Sequence, residues 1–204
     1  MTSLVASRNT RRVEVRKATP SDSSALAAVL ARAFHDDPVM SWVFPDPSRR
    51  VGQAARFFSL RLRTLVPDGE VYTTDGLDGG AVWAVPDRWR VSATDGLRML
   101  RLGLGWRFPR IVRGLTRIEM RHPHEPHYYL AILGTEPSMQ GRGVGSALLE
   151  PVLASCDADE IPAYLESSKE RNVAFYARHG FRVTEELDLP KGPRVWLMWR
   201  DPRP

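Results

Sequence analysis

Cysteine is nearly absent from this chain. Cys156 stands alone among 204 residues, which excludes a disulfide framework and any cysteine-based zinc site. Long hydrophobic runs are missing too: no apolar stretch approaches the roughly 20 residues needed to span a bilayer. The opening segment, Met1 to Arg12, carries Arg8, Arg11 and Arg12 and lacks the apolar core of a signal peptide. It reads as a disordered tail, and the expected compartment is the cytoplasm. The histidines, His35, His122, His124, His127 and His179, make no recognisable metal spacing, so no metal is expected. No basic run is interleaved with aromatic residues, which argues against nucleic acid as a partner despite a formal charge of +5. The arginines recur along single faces of predicted helices, as on a solvated surface, and a polyanionic ligand would account for part of the excess. No membrane partner is expected.

What is present is ordinary for a globular domain: 43% hydrophobic and 26% charged residues. The length suits one domain with a real core, and residues 13–204 read as that domain. Val13 to Lys17 alternates like a half-buried strand. Thr19-Pro20-Ser21-Asp22 reads as a helix start, with Thr19 as N-cap. Leu26, Val29, Leu30, Ala33 and Phe34 follow at helical spacing until Asp36-Asp37-Pro38 stops them. A second helix is expected over 48–66, and two strands over 71–74 and 80–85 around Asp-Gly turns. Residues 93–120 read as amphipathic helix broken near Pro109. His127 to Leu133 is nearly all apolar and reads as a central strand buried on both faces. The remaining expectations are a helix over 141–156, a strand over 163–166, a helix over 171–179 stopped by Gly180, and strands over 181–189 and 194–199. The order β-α-α-β-β-α-β-α-β-α-β-β makes one α/β domain with a mixed sheet. Pro151 falls inside the 141–156 helix and predicts a kink beyond its first turns.

The chemistry concentrates between Leu133 and Leu149. A buried strand, Leu133-Gly134-Thr135, runs into a turn at Glu136-Pro137. Gln140 follows, then Gly141, Gly143 and Gly145 on alternate residues, separated by Arg142 and Val144, and Ser146 continues into an apolar helix. Glycines let a ligand approach the backbone closely. The free amides and dipole at a helix start favour phosphate. This segment therefore predicts a pyrophosphate cradle. It is not a P-loop, because no Gly-Lys-Ser/Thr follows the glycines. Nor is it a dinucleotide fingerprint, because no G-x-G-x-x-G completes. Downstream, Asn172 and Tyr176 are four residues apart and share one helix face, followed by Gly180-Phe181.

Gln140-x-x-Gly143-x-Gly145 resembles motif A of the GNAT superfamily of N-acetyltransferases, and Asn172-x-x-x-Tyr176 with Gly180-Phe181 resembles that family's later signature. From about Glu125 to Trp199 the chain looks like the puromycin N-acetyltransferase group within it, at Glu125-Pro126, Tyr129-Leu130, Leu165-Glu166, Phe175-Tyr176 and Gly192-Pro193-Arg194. Ala33 to Pro38 and Trp42 to Pro45 depart from that group, so the resemblance does not extend to the acceptor. It implies a single-domain α/β GNAT fold, with a mixed, mostly antiparallel central sheet of about seven strands flanked by helices. It also implies acetyl-CoA as co-substrate, held by Leu133, Gly134, Thr135, Gln140, Gly141, Arg142, Gly143, Val144, Gly145 and Ser146, with Asn172 on the pantetheine arm. Tyr176 would lie near the thioester sulfur.

Making an amide from a thioester needs an amine that has lost its proton, a stabilised oxyanion and a protonated leaving thiolate. A tyrosine near pKa ~10 can donate to a thiolate whose thiol lies near ~8.5 or above, which makes Tyr176 the expected general acid. An oxyanion donor is expected on the strand near Thr135, where a bulge in the family opens a wedge. Glu166 is either the base or a carboxylate that binds a cationic acceptor. Glu125 and His127 alternate onto one face at the start of the central strand, and His127 can titrate near neutrality. Asp37 and Trp42 offer a charge and an aromatic face to an amine, although Asp36-Asp37-Pro38 reads equally as a helix stop. The expected acceptor is a small-molecule amine, with monomer and homodimer both open. A peptide or protein N-acetyltransferase and a non-catalytic acetyl-CoA sensor remain the alternatives.

Overall fold

The computed structural model describes residues 13–90 and 107–203. The expected disordered tail over 1–12 and the first part of the 93–120 helix lie outside the described residues. Among the described residues seven strands form one sheet: β1 (Val15–Lys17), β2 (Val71–Thr74), β3 (Gly79–Ala84), β4 (Tyr128–Thr135), β5 (Ala163–Ser167), β6 (Arg182–Asp188) and β7 (Arg194–Arg200). Their order is β1-β2-β3-β4-β5-β7-β6. Every neighbouring pair is antiparallel except β4 and β5, which run parallel. This is the mixed, mostly antiparallel sheet that the sequence predicts.

Helices cover both faces. In chain order they are α1 (Ser23–Ala33), α2 (Pro38–Val43), α3 (Pro47–Leu65), α4 (Phe108–Glu119), α5 (Val144–Ala158) and α6 (Val173–Arg178). Asp22 accepts the Thr19 amide at 2.8 Å in the turn leading into α1. Arg16 holds the same carboxylate from two nitrogens. These contacts keep Asp22 well below the usual carboxylate range, the Arg16 hydrogen bond being the largest cause. The stop at Asp36-Asp37-Pro38 is also a start: Asp37 caps α2 by accepting the Met40 amide at 2.9 Å, and Pro38 takes the first helical position. In α3 the side chains of Phe58, Leu62 and Leu65 are buried. Pro109 sits in the first turn of α4, where its missing N–H costs nothing, so it begins the helix there. Helix α5 is continuous through Pro151.

One face of the sheet packs on α5, with Val144, Leu148, Leu149 and Val152 against Ala81, Trp83, Leu130, Leu165 and Met198. The other face packs on α1 and α3 through Leu26, Leu30, Phe58 and Leu62 against Val71, Val82 and Ile132. A third cluster gathers Trp42 of α2, Ile111 of α4, Tyr164, Leu197 and Trp199 beneath β5 and β7.

The helices come close because the sheet lacks side chains where they cross. Gly134 lies against α1, where a Cβ would meet Leu30 at 2.8 Å and Phe34 at 3.0 Å. A Cβ on Gly79 would meet the Gly134 carbonyl oxygen at 2.6 Å. That neighbour is backbone and cannot rotate away. Gly79→Ala should therefore cost about 1–3 kcal/mol, as overpacking does, and lower the melting temperature by roughly 3–10 °C. Thermal unfolding followed by circular dichroism checks this; an unchanged midpoint would refute the close approach.

The register of β4 is the feature that shapes the site. Val82 and Trp83 are adjacent on β3, yet they face Ile132 and Leu130. Ala131 is thus an extra residue, a β-bulge. Leu130 packs on the α5 face, whereas Ala131 and Ile132 both pack on the α1–α3 face. The bulge inverts the alternation of the strand midway along it, so the apolar run is neither a simple two-sided strand nor a one-sided one.

Candidate active site

The parallel pairing of β4 and β5 extends only over Tyr128–Leu130 against Ala163–Leu165. It stops at the Ala131 bulge. Beyond that point β4 turns with β3 and leaves β5, so the backbone groups of β4 that face β5 lose their strand partner. The family resemblance implies a bulge near Thr135; the structure has it at Ala131, because the register slip against β3 occurs there. The wedge that opens is a cleft of about 490 Å³, bordered by Leu130 to Thr135 on one side and Leu165 to Lys169 on the other.

The glycine turn closes one end of this cleft. Gly141 and Gly143 have φ of +75° and +84°, and a Cβ on either would meet nothing within 4 Å. Glycine is required there by backbone angle, and the turn faces open space. Gly143 caps α5 in the left-handed conformation. The first intrahelical bond runs from Ala147 to the Gly143 carbonyl. The amides of Val144, Gly145 and Ser146 therefore have no acceptor within the helix and border the cleft. The Ser146 hydroxyl is held by His179 Nε2 at 3.0 Å, which leaves its amide for a ligand. Two contacts fix the turn. Gln140 donates to the Thr135 carbonyl at 3.2 Å, and Glu136 takes three hydrogen bonds from Arg32 of α1.

This arrangement fits acetyl-CoA. A pyrophosphate needs unpaired amides at a helix start with no side chain in the way, and the turn offers both. A pantetheine arm carries amides that can pair with an unpartnered strand edge, and β4 offers one beyond Leu130. Lys169, Arg171 and Arg178 border the same cleft and supply positive charge. Asn172 borders it from the start of α6. Arg142 is exposed and is not part of the cleft wall.

Tyr176 is 8% exposed and lies in the cleft wall, with Phe175 and Phe181 edge-on to its ring. Burial pushes its phenol well above the ordinary tyrosine value, and the charge of Asp37 adds to the shift. It is thus neutral and able to donate. Asp37 reaches the cleft from the cap of α2, hydrogen-bonded by Ser168 and by the Met40 amide. Burial raises its pKa, against the pull of those hydrogen bonds. Glu166 borders the cleft at the point where β5 separates from β4.

Three other candidates fall elsewhere. Trp42 is buried outside the cleft, its indole N–H donating to the Lys191 carbonyl at 3.1 Å, with the Arg110 guanidinium 5.3 Å from its ring. Its aromatic face already holds a cation from the protein. Glu125 and His127 lie at the opposite end of β4, beside Asp87 and Arg90. His127 is 2% exposed, its Nδ1 2.6 Å from the Glu125 carbonyl. Burial is the main reason its pKa is lowered.

Sequence reasoning passed over Tyr129 and His122, which bind and flank Glu166. The Tyr129 hydroxyl donates to Glu166 Oε2 at 2.7 Å. His122 Nδ1 lies 3.6 Å from Glu166 Oε1. Tyr129 was findable, since it precedes the site on the same strand. The approach of His122, from the turn after α4, has no local signal.

Comparison with known proteins gives a consistent result. Residues 110–183 match the family model described as acetyltransferase (GNAT) domain. The chain is 26% identical to an uncharacterised N-acetyltransferase of Schizosaccharomyces pombe, over 94% of this chain and 83% of that protein. It is similar in structure to a Corynebacterium glutamicum protein described as histone acetyltransferase HPA2 and related acetyltransferase. The TM-score is 0.70 and the identity 27%, covering 94% of this chain and 97% of that one. It also shares the fold of arylalkylamine N-acetyltransferase 2 from Aedes aegypti, with a TM-score of 0.71, 12% identity and coverage of 94% and 100%.

Proposed function

We propose, from the premise that this chain belongs to the GNAT N-acetyltransferase family, that it acetylates the amine of a small molecule by direct attack, both substrates bound at once. The observation that carries this reading is the wedge between β4 and β5, which has the glycine turn at one end and Tyr176 and Glu166 in its walls. Acetyl-CoA, when bound, supplies an activated acetyl thioester. The amides of Val144, Gly145 and Ser146 and the α5 dipole hold its pyrophosphate, and Asn172 with the free edge of β4 holds its pantetheine arm.

The remaining work belongs to side chains. Tyr176 is the general acid and gives its phenolic proton to the departing sulfur. Its raised pKa keeps that proton available across the neutral range. Glu166 accepts the proton of the incoming ammonium. Its carboxylate is held in place by the Tyr129 hydroxyl. A second carboxylate, Asp37, stands in the same cleft. Two carboxylates in one cleft favour a cationic acceptor over a neutral or anionic one. The Aedes protein, which shares the fold, acts by its name on arylalkylamines. A small amine therefore ranks above a peptide.

The test is thiol release from acetyl-CoA against a panel of tryptamine, agmatine, spermidine, puromycin, aminoglycosides, amino acids and short peptides. Release with a small amine supports the reading. Release with peptides alone moves the assignment to a peptide N-acetyltransferase. Silence across the panel, with acetyl-CoA bound tightly by calorimetry, would leave a non-catalytic sensor.

A further inference from the structure

Behind Glu166 lies a line of buried groups that the mechanism above does not use. Glu166 Oε1 is buried and has no hydrogen-bond partner among the described residues. It faces His122 Nδ1 at 3.6 Å. His122 Nε2 lies 2.9 Å from His127 Nε2. His127 Nδ1 lies 2.6 Å from the Glu125 carbonyl oxygen. His122 and His127 are 5% and 2% exposed, so bulk water does not satisfy these nitrogens.

With both rings neutral, the chemistry of the partners fixes every tautomer in the line. A carbonyl oxygen only accepts, so the proton on His127 sits on Nδ1. Burial lowers the pKa of His127, which keeps the ring neutral. Its Nε2 is then a lone pair, and the nitrogen facing it, His122 Nε2, must carry the hydrogen. That leaves His122 Nδ1 as a lone pair aimed at the unpartnered oxygen of Glu166. The chain is polarised in one direction, away from the cleft, and its last acceptor is vacant. The separation of 3.6 Å exceeds a hydrogen bond, as resting catalytic contacts often do. A proton placed on either atom draws the two together.

We propose that His122, oriented by His127, takes over from Glu166 the proton that the acceptor's ammonium group loses. In the step, the ammonium N–H breaks as an O–H bond forms on the Glu166 carboxyl, which turns that hydrogen towards His122. That bond then breaks as His122 Nδ1–H forms. The result is an imidazolium beside a restored carboxylate. The proton leaves for solvent when the product departs. Nothing is oxidised or reduced. His122 touches no substrate; it is a positioning residue that acts through Glu166. The proposal rests on the amine acetyltransfer reading above and adds to it the group that resets the base.

Aromatic rings pack around His122. Trp89 stacks on His122 with ring centroids 3.6 Å apart. Tyr129 and Tyr164 meet it edge-on. Other titratable or charged groups also bear on the cluster. Asp87 favours a cationic His127, Arg61 of α3 acts on Tyr129, and Glu185 of β6 acts on Tyr164. The Glu166 charge acts on both tyrosines and on His127.

Two measurements test this. In the wild-type protein at pH 8, nitrogen-15 spectra of the imidazoles should show the His127 proton on Nδ1 and the His122 proton on Nε2. The reverse tautomers would overturn the proposal, with no acceptor needed. In the second, His122→Phe keeps a ring against Trp89 and removes both nitrogens. For the panel amine that turns over fastest, kcat/KM at pH 7 should fall about tenfold or more. The loss should shrink towards pH 9, where more of the amine arrives without its proton. Acetyl-CoA affinity should be unchanged, and Glu166→Gln combined with His122→Phe should be no slower than Glu166→Gln alone. His122→Gln, which retains hydrogen-bonding groups but does not titrate, should behave like His122→Phe. An active wild type whose pH profile is unmoved in both variants sinks the role of His122 alone, as does a loss that is uniform in pH and additive with Glu166→Gln. A wild type that acetylates no amine sinks the underlying reading.

Discussion

Tyr176→Phe should lower kcat for acetyl transfer by a factor on the order of 10² to 10³, within the usual range for loss of a positioned acid, while acetyl-CoA affinity stays the same. The substitution removes one oxygen from a side chain that is 8% exposed and leaves its ring contacts with Phe175 and Phe181 in place. The cradle lies on a different element and is not touched. A defect confined to kcat would mean that the hydroxyl acts on the departing sulfur. A pH profile adds a second check. Burial and the nearby Asp37 charge both raise the Tyr176 pKa, and a raised pKa keeps an acid protonated to higher pH. The wild-type rate should therefore show no falling limb from Tyr176 between pH 6 and 9. Asp37→Asn would remove the smaller of the two causes and bring the phenol partway back towards its ordinary value. Full activity in Tyr176→Phe, measured by thiol release, would remove the tyrosine from the mechanism and turn attention to water as the proton donor.

Gly143→Val should weaken acetyl-CoA binding at least tenfold and also reduce stability. The residue sits at φ of +84° with open space around it, so the effect comes from the backbone and not from a clash. A β-branched residue held in the left-handed region costs about 1–3 kcal/mol. The turn can relieve that strain only by rotating away from the observed angles. The amides of Val144, Gly145 and Ser146 then no longer converge on one phosphate position. About 1.4 kcal/mol of lost interaction is tenfold in affinity. Gly145→Ala is the matched control. It lies inside α5, where an L-residue is at ease, and its Cβ would meet the tip of the Phe175 ring at 3.3 Å and Thr135 Oγ1 at 3.7 Å. Its affinity should stay within a few-fold of wild type. Calorimetric titration with acetyl-CoA distinguishes the two. Equal affinities in Gly143→Val and wild type would mean that the turn does not hold the phosphates.

These expectations divide by the range over which their causes act. The glycine turn was legible from the sequence because its determinants are local. Gly141 and Gly143 are needed for backbone angle, and the order of strand, Pro137 turn and helix lies within one short segment. The shared face of Asn172 and Tyr176 follows from helical periodicity, and both border the cleft. The seven strands and the mixed sheet were legible from alternation and turn residues for the same reason.

Contacts between distant segments were not legible. The apolar run from His127 to Leu133 identifies a strand but carries no mark at Ala131. The bulge there exists because β3, far earlier in the chain, pairs with a slipped register. Trp42 looked available to an amine by composition alone. Only packing against Gly114 and Gly192, where a Cβ would meet its ring at 2.6 and 2.7 Å, buries it away from the cleft. Asp37 read equally as a charge for an amine and as a helix stop, and its place beside Ser168 in the cleft depends on how α1 crosses the sheet. His122 carried no signal, since its partners Glu166 and His127 meet it only after α4 has delivered it to the end of β4. The sequence by itself determined the glycine turn, the shared helix face of Asn172 and Tyr176 and the class of fold, because backbone angle and periodicity are properties of neighbours along the chain. The tertiary structure alone decided the wedge and the company of Glu166, because those arise from packing between segments whose local propensities do not refer to one another.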